Sequence, residues 1–428
     1  MSASSTRPSY AAVLRTPHAT RTFTAALVGR LSYGMVSLAV LLAVSRATGS
    51  YAVAGVVMAF FGAASVFLSP LRAALVDRHG PRRVLVPMAG LYAGLLGVLA
   101  AATWRPGAPA ALLGTVAVAA GACTPPLGAT MRAVWGELVT DRRQLQRAYS
   151  LDGVAEELLF VSGPLLVGVV VRFAPPAAGV AVSALLVGIG TLAFVTSPAV
   201  KSVAVRASRV RARMRIERGL VRPVVVAAGV GLSLGAVDLL VLAFAEQRGH
   251  GDDTVAWIFA ALSAGSAVGG LLYGAVEWRT GTRVRLPALT AGLGLALAVA
   301  GLAPGLATLT GAVVCAGFFV APALTTAYLV ADESAAPGAR VQAGAWVNTA
   351  VNAGISTGAA AGGLLVGRLP VGAGFALAGG AALLAAAAVG VGTRYPRALP
   401  EGQEQGQEQG QGQKEEEPGV EEQAPERR

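Results

Sequence analysis

Charge is scarce in this sequence. Only 13% of its 428 residues are Asp, Glu, Lys or Arg, against roughly a quarter in an ordinary soluble domain. Cysteine is nearly missing: Cys123 and Cys315 are the two present, each inside an apolar stretch, so neither a disulfide framework nor a thiolate metal site is expected. The three histidines, His18, His79 and His250, all fall in expected loops or tails. They offer no imidazole relay inside the chain and no convergent His, Asp and Ser for a membrane enzyme. A Gly-x-x-x-x-Gly-Lys-Ser/Thr phosphate loop does not occur, which excludes an ATP-driven pump of that type. No cofactor is expected.

What is present is apolar sequence. Hydrophobic residues make up 54% of the chain, and Gly contributes 55 residues; small residues let helix backbones approach closely where lipid surrounds them. Crossing a hydrocarbon core of ~30 Å takes about 20 apolar residues in a helix. Roughly twelve such segments occur, near 22–45, 51–75, 84–104, 109–131, 150–172, 177–196, 223–245, 255–276, 286–303, 307–330, 344–367 and 371–392. Within lipid the backbone must satisfy its own hydrogen bonds, so these are helices; the runs are too long for barrel strands. The first segment is too long for a cleaved signal peptide, and others follow it. The expected fold class is an all-α membrane protein with about twelve transmembrane helices in two pseudo-symmetric six-helix bundles.

Basic residues fix the expected orientation. With the N-terminus inside, the inner loops and tails collect Arg78, Arg82, Arg83, Arg142, Arg143 and the run from Lys201 to Arg222, whereas the outer loops hold Arg46, Arg105, Arg172, Arg248 and Arg368. That bias predicts cytoplasmic N and C termini in a cell (cytoplasmic) membrane. The net charge of +11 then belongs to the anionic inner leaflet rather than to nucleic acid.

The expected divisions are an N-terminal cytoplasmic tail (1–21), a six-helix bundle (22–196), a basic cytoplasmic linker (197–222), a second six-helix bundle (223–392) and a disordered cytoplasmic tail (393–428), whose Gln-Glu-Gly repeats cannot bury a core. The halves echo each other. Asp77-Arg78-His79-Gly80-Pro81-Arg82 after the second segment is answered by Arg279-Thr280-Gly281-Thr282-Arg283 after the eighth. Gly163-Pro164-Leu165-Leu166-Val167-Gly168 in the fifth is answered by Gly362-Gly363-Leu364-Leu365-Val366-Gly367 in the eleventh.

On these features the chain resembles the major facilitator superfamily over about 20–395. The loop after the second segment is similar to the family signature Gly-x-Leu-Ala-Asp-Arg-x-Gly-Arg-Lys/Arg: Leu75, Asp77, Arg78, Gly80 and Arg82 match, Ala73 replaces the first glycine and Pro81 an arginine. The resemblance implies a gate in which Asp77 faces the N-terminus of the eleventh helix, where an anion is favoured. Arg78 and Arg82 are expected to pair with Asp77 or with Glu137. Gly163, Pro164 and Gly168 match part of the family's antiporter motif, leaving open whether they form a kinked gate or plain packing. Drug/proton antiporters of this family usually carry an arginine in the fourth helix, and 115–123 has none.

A charge at mid-bilayer costs on the order of 3 kcal/mol and so asks for a partner or a purpose. The candidates are Arg30, Asp152, Glu156, Glu157 and Asp238. Arg30 lies deep in the first segment, and a carboxylate from the fifth is its expected partner; the group is then a coupling device, a static ion pair or, near the inner end, a set of snorkelling side chains. Asp238 is either a cavity acid facing cationic substrates or a residue of helix packing or of the outer interface, and Asn348, Asn352 and Ser356 form a polar stripe that lines a cavity or bonds a neighbouring helix. Low cavity charge is expected. Together these features predict a monomeric secondary transporter working by alternating access. Its cargo is expected to be a small organic or drug-like solute, exported at the expense of the proton gradient. Uptake of a metabolite, or a non-transporting membrane sensor or scaffold, is the alternative.

Overall fold

The computed structural model describes residues 9–201, 218–336, 338–366 and 368–391; most of the 197–222 linker and the C-terminal tail lie outside them. Among the described residues the chain is helical throughout, with an isolated bridge between Val366 and Leu369 in place of any sheet. Ten helices are long and apolar enough to cross a membrane, and the bent pair Tyr51–Phe67 and Ser69–His79 supplies an eleventh span. The remaining long helix, Arg340–Leu365, has 26 residues. It falls short on hydropathy because Gln342, Asn348, Thr349, Asn352 and Ser356 interrupt it. The spans in order are thus Ala19–Thr48, the bent pair, Pro81–Thr103, Ala110–Leu138, Arg142–Phe173 and Pro176–Val195 in the first half. The second half holds Val221–Gln247, Asp252–Ala275, Thr282–Ala300, Leu306–Ser334, Arg340–Leu365 and Val371–Val391.

Each half repeats one packing scheme. The first span lies against the fifth and sixth, the second against the fourth, the third against the sixth; the seventh lies against the eleventh and twelfth, the eighth against the tenth, the ninth against the twelfth. Backbone contact sets the closeness of these pairs. A Cβ at Gly163 would meet the Gly34 carbonyl carbon at 2.3 Å, and one at Gly358 would meet the Leu232 oxygen at 2.0 Å. Gly163 is therefore a packing position between the first and fifth spans. Pro164 and Gly168 are exposed, and the helix runs through Pro164 without interruption.

Two spans break, both for covalent reasons. The second bends by 41° where Pro70 opens its second segment. The fourth breaks between Cys123 and Leu127, because Pro125 and Pro126 have no N–H to give to the carbonyls one turn earlier. Those carbonyls, Gly121 O and Ala122 O, instead accept from the Arg72 guanidinium at 2.5 and 3.1 Å. The Pro125 carbonyl accepts from the Tyr33 hydroxyl at 2.6 Å.

The N-terminal segment is more than a tail. Ser9 caps a short helix, Tyr10–Arg15, and the first span already begins at Ala19. Tyr10 donates its hydroxyl to Leu271 O of the eighth span at 2.6 Å. Burial raises its pKa above the ordinary tyrosine value, so it stays a neutral donor.

Among the described residues, three apolar cores hold the helices together. One fills the second half and one the part of the first half remote from the arginine-rich loops. The third lies at the arginine-rich end and draws on both halves, packing Leu329, Val341 and Ala345 with Phe23, Met131 and Trp135. The bundles are therefore joined at their basic end.

Candidate substrate cavity and basic-end lock

The lock starts from a tight reversal. Gly80 has φ 86°, a backbone region that disfavours side chains, and Pro81 follows at the first turn of the third span. This turn presents the buried Asp77 to the start of the eleventh span. Its Oδ1 accepts from Val341 N at 3.2 Å and its Oδ2 from Gln342 N at 2.8 Å, so the carboxylate satisfies two amides that a helix start leaves free and complements its dipole. Arg78 and Arg82 do not join it: both are exposed and make no ion pair among the described residues. Glu137 pairs instead with Arg340 of the eleventh span at 2.9 Å. Sequence reasoning missed Arg340 because it lies in an expected loop.

The pseudo-equivalent contact uses other chemistry. The eighth span has no Asp at its end. The fifth span therefore reaches it with donors, Gln146 Nε2 to Tyr273 O at 2.8 Å and Arg147 to Ala275 O at 3.2 Å, aimed at the carbonyl-rich end of a helix. Arg143 pairs with Glu277 at 2.8 Å, and Arg142 with Glu333.

Deeper in, four charges meet. Arg30 Nη1 lies 2.7 Å from Asp152 Oδ1, and its Nη2 lies 3.0 Å from Glu156 Oε2. Arg132 Nε lies 3.0 Å from Asp152 Oδ2, and its Nη2 also contacts Glu156. Two guanidiniums and two carboxylates thus form a neutral square. Asp152 is 0% exposed and Arg30 3%, while Glu156, at 29%, is the open corner. Arg132 also stacks 3.8 Å over the ring of Tyr328 in the tenth span, tying the square to the other half.

This arrangement corrects two expectations. Arg132 belongs to the fourth span, which continues to Leu138, and not to a loop. The fifth helix starts at Arg142, eight residues before its apolar run, and Asp152 and Glu156 are held between Arg30 and Arg132 instead of reaching out to an interface. The helix extends because Gln146 and Arg147 are satisfied by the other half. Arg132 had a legible signal: one deep arginine against two carboxylates four residues apart leaves a negative surplus that calls for a second cation.

A cavity of about 260 Å³ opens beside the square. Arg30, Arg132, Glu156, Asn348 and Asn352 line it, as does Arg72, which the sequence reading passed over. Its walls hold three arginines, so the expectation of low cavity charge is overturned; the apolar run count around the second span concealed Arg72. Other candidates lie elsewhere. Glu157 turns to Ser266 of the eighth span. Ser356 is exposed and donates to Asn352 O at 3.0 Å, and neither it nor Asp238 lines the cavity.

Two six-helix bundles joined at one end, with a charged cavity between spans of both halves, are the architecture of a secondary membrane transporter. The chain belongs to the Major Facilitator Superfamily, whose sequence profile matches residues 22–249 and 223–420. No curated protein matches the chain by sequence. Among solved structures it is similar to the human organic anion transporter MFSD10 (TETRAN), with 17% identity, a TM-score of 0.69, and coverage of 90% of this chain and 100% of that one. It is also similar to a bacterial homologue of the iron transporter ferroportin in an outward-facing state, at 15% identity and TM-score 0.67, covering 87% and 97%. A third is the proton:xylose symporter XylE bound to 6-bromo-6-deoxy-D-glucose, at 14% identity and TM-score 0.62, covering 86% and 94%. At these identities the likeness is one of fold.

Proposed function

We propose that this transporter moves a small organic solute out of the cytosol by alternating access, driven by the proton gradient, as a monomer in the cytoplasmic membrane with both termini inside. The observation that carries this reading is the neutral Arg30–Asp152–Glu156–Arg132 square, set in the cavity above a sealed basic end. With the basic end cytoplasmic, the conformation is outward-facing. Asp152 is enclosed, whereas Glu156 reaches the cavity and shares two guanidiniums. It is the carboxylate able to trade an arginine for a proton as the halves rock. Organic anion, iron and xylose transporters share the fold, so the substrate must be read from the cavity.

Reconstituted Glu156→Gln protein is the test. With a panel of anionic, neutral and cationic aromatic solutes, flux driven by a pH gradient is expected to fall about tenfold or more, while solute exchange without a gradient persists. Unchanged gradient-driven flux would reject Glu156 as the coupling group, and accumulation driven in the opposite sense would make the protein an importer. For orientation, a reporter fused after Arg428 is expected to be active on the cytoplasmic side; activity outside would invert the topology.

A further inference from the structure

We infer that the cavity takes an organic anion, with Arg72 as its receptor. Arg72 is 4% exposed, and its side chain lines the cavity. Its hydrogen bonds run to carbonyls, those of Gly121 and Ala122 freed by the two prolines and that of Ser65. Its Nε is buried without a partner. Carbonyl dipoles satisfy N–H groups, but they leave a full positive charge in a low-dielectric wall, where each charge needs a counter-charge.

No acid among the described residues pairs with Arg72. Asp152 and Glu156 are both taken up by Arg30 and Arg132, and Glu157 accepts from Ser266 and does not line the cavity. Three guanidiniums therefore stand against two carboxylates around one cavity, a surplus of one positive charge. A monovalent anion neutralises it. Met58, Phe61 and Phe160 in the same walls offer an apolar seat for an organic body, and Asn348 and Asn352 offer amides. The ligand class is thus a small monocarboxylate or an equally compact organic anion with a hydrophobic part.

This inference rests on the transport reading for its purpose but is tested apart from it. The full-length protein in lipid nanodiscs is titrated with benzoate, benzamide and benzylammonium, three solutes of one skeleton and charges of −1, 0 and +1. Benzoate is expected to bind about tenfold or more tightly than the other two, the difference a charge-assisted bond supplies. Arg72→Gln is expected to abolish that preference and Arg72→Lys to restore part of it, because lysine keeps the charge without the fork. Equal binding of the three solutes by the wild type, or no binding of benzoate, overturns the inference; so does a benzoate preference that survives in folded Arg72→Gln, which would leave Arg72 as a clasp for the broken helix only. The wild-type comparison stands even if Arg72→Gln fails to fold. Flux of neutral or cationic solutes with no benzoate preference would sink the anion site and keep the transporter. Benzoate binding with no flux of any solute in liposomes would do the reverse.

Discussion

Asp152→Asn is expected to destabilise the protein by about 3–5 kcal/mol, the cost of breaking one side of a buried ion cluster. Asparagine keeps the shape of aspartate and removes its charge. Arg30 at 2.7 Å and Arg132 at 3.0 Å would then share Glu156 alone, leaving one cation uncompensated where the side chain is 0% exposed. Transport is expected to fall by about two orders of magnitude, since the guanidiniums that line the cavity lose their positions. Adding Arg30→Met to Asp152→Asn removes the surplus charge and is expected to recover most of the stability but not the transport. Unfolding titrations of the purified variants measure the first effect, and flux in liposomes the second. A single variant as stable as the wild type would show that the square does not hold the first, fourth and fifth spans together.

Asp77→Asn is expected to open the basic end. The carboxylate receives two backbone N–H groups, from Val341 at 3.2 Å and Gln342 at 2.8 Å. An asparagine amide presents one oxygen and one NH2, so one of those bonds becomes donor against donor. A charge-assisted hydrogen bond is worth about 1.5–3 kcal/mol. Because the contact exists only when the second and eleventh spans meet, its loss shifts the equilibrium between states by about 10- to 150-fold. Val341 is buried in the seal. A Val341→Cys reporter, in a background carrying Cys123→Ala and Cys315→Ala, is expected to react with a water-soluble thiol reagent at least about tenfold faster when Asp77→Asn is present. Transport is expected to drop while the amount inserted in the membrane stays the same. Reporter rates that match with and without the substitution would dismiss the lock.

These two positions also mark how far residue types alone carry an argument. Asp77 sits at the carbonyl end of its own helix before a Gly-Pro reversal, an unfavourable place for an anion, so a partner outside its helix follows from the helix dipole. Arg30 is a lone cation deep in an apolar run, so a carboxylate follows from desolvation cost. Neither inference needs coordinates. Arg340 was not legible in the same way, because it lies just outside the apolar runs that mark spans, and Arg132 was legible only as the demand for a second cation beside Arg30. Polar residues extend those helices once the other half satisfies them, as Gln146 and Arg147 show.

The sequence by itself determined the solvent and the architecture: runs of apolar residues long enough to cross lipid, loops with cations on one side, and a motif repeated between halves. Hydrophobic length and loop charge act locally, so they can be read one segment at a time. Only the tertiary structure decided which charges meet, that Glu156 and not Glu157 shares the arginines, and that Arg72 clasps the carbonyls left by Pro125 and Pro126. Those outcomes depend on how each helix is rotated and slid against its neighbours, and close backbone contacts such as Gly34 against Gly163 set that register. A helix carries its own period along the chain, but its rotation is a property of the packed bundle.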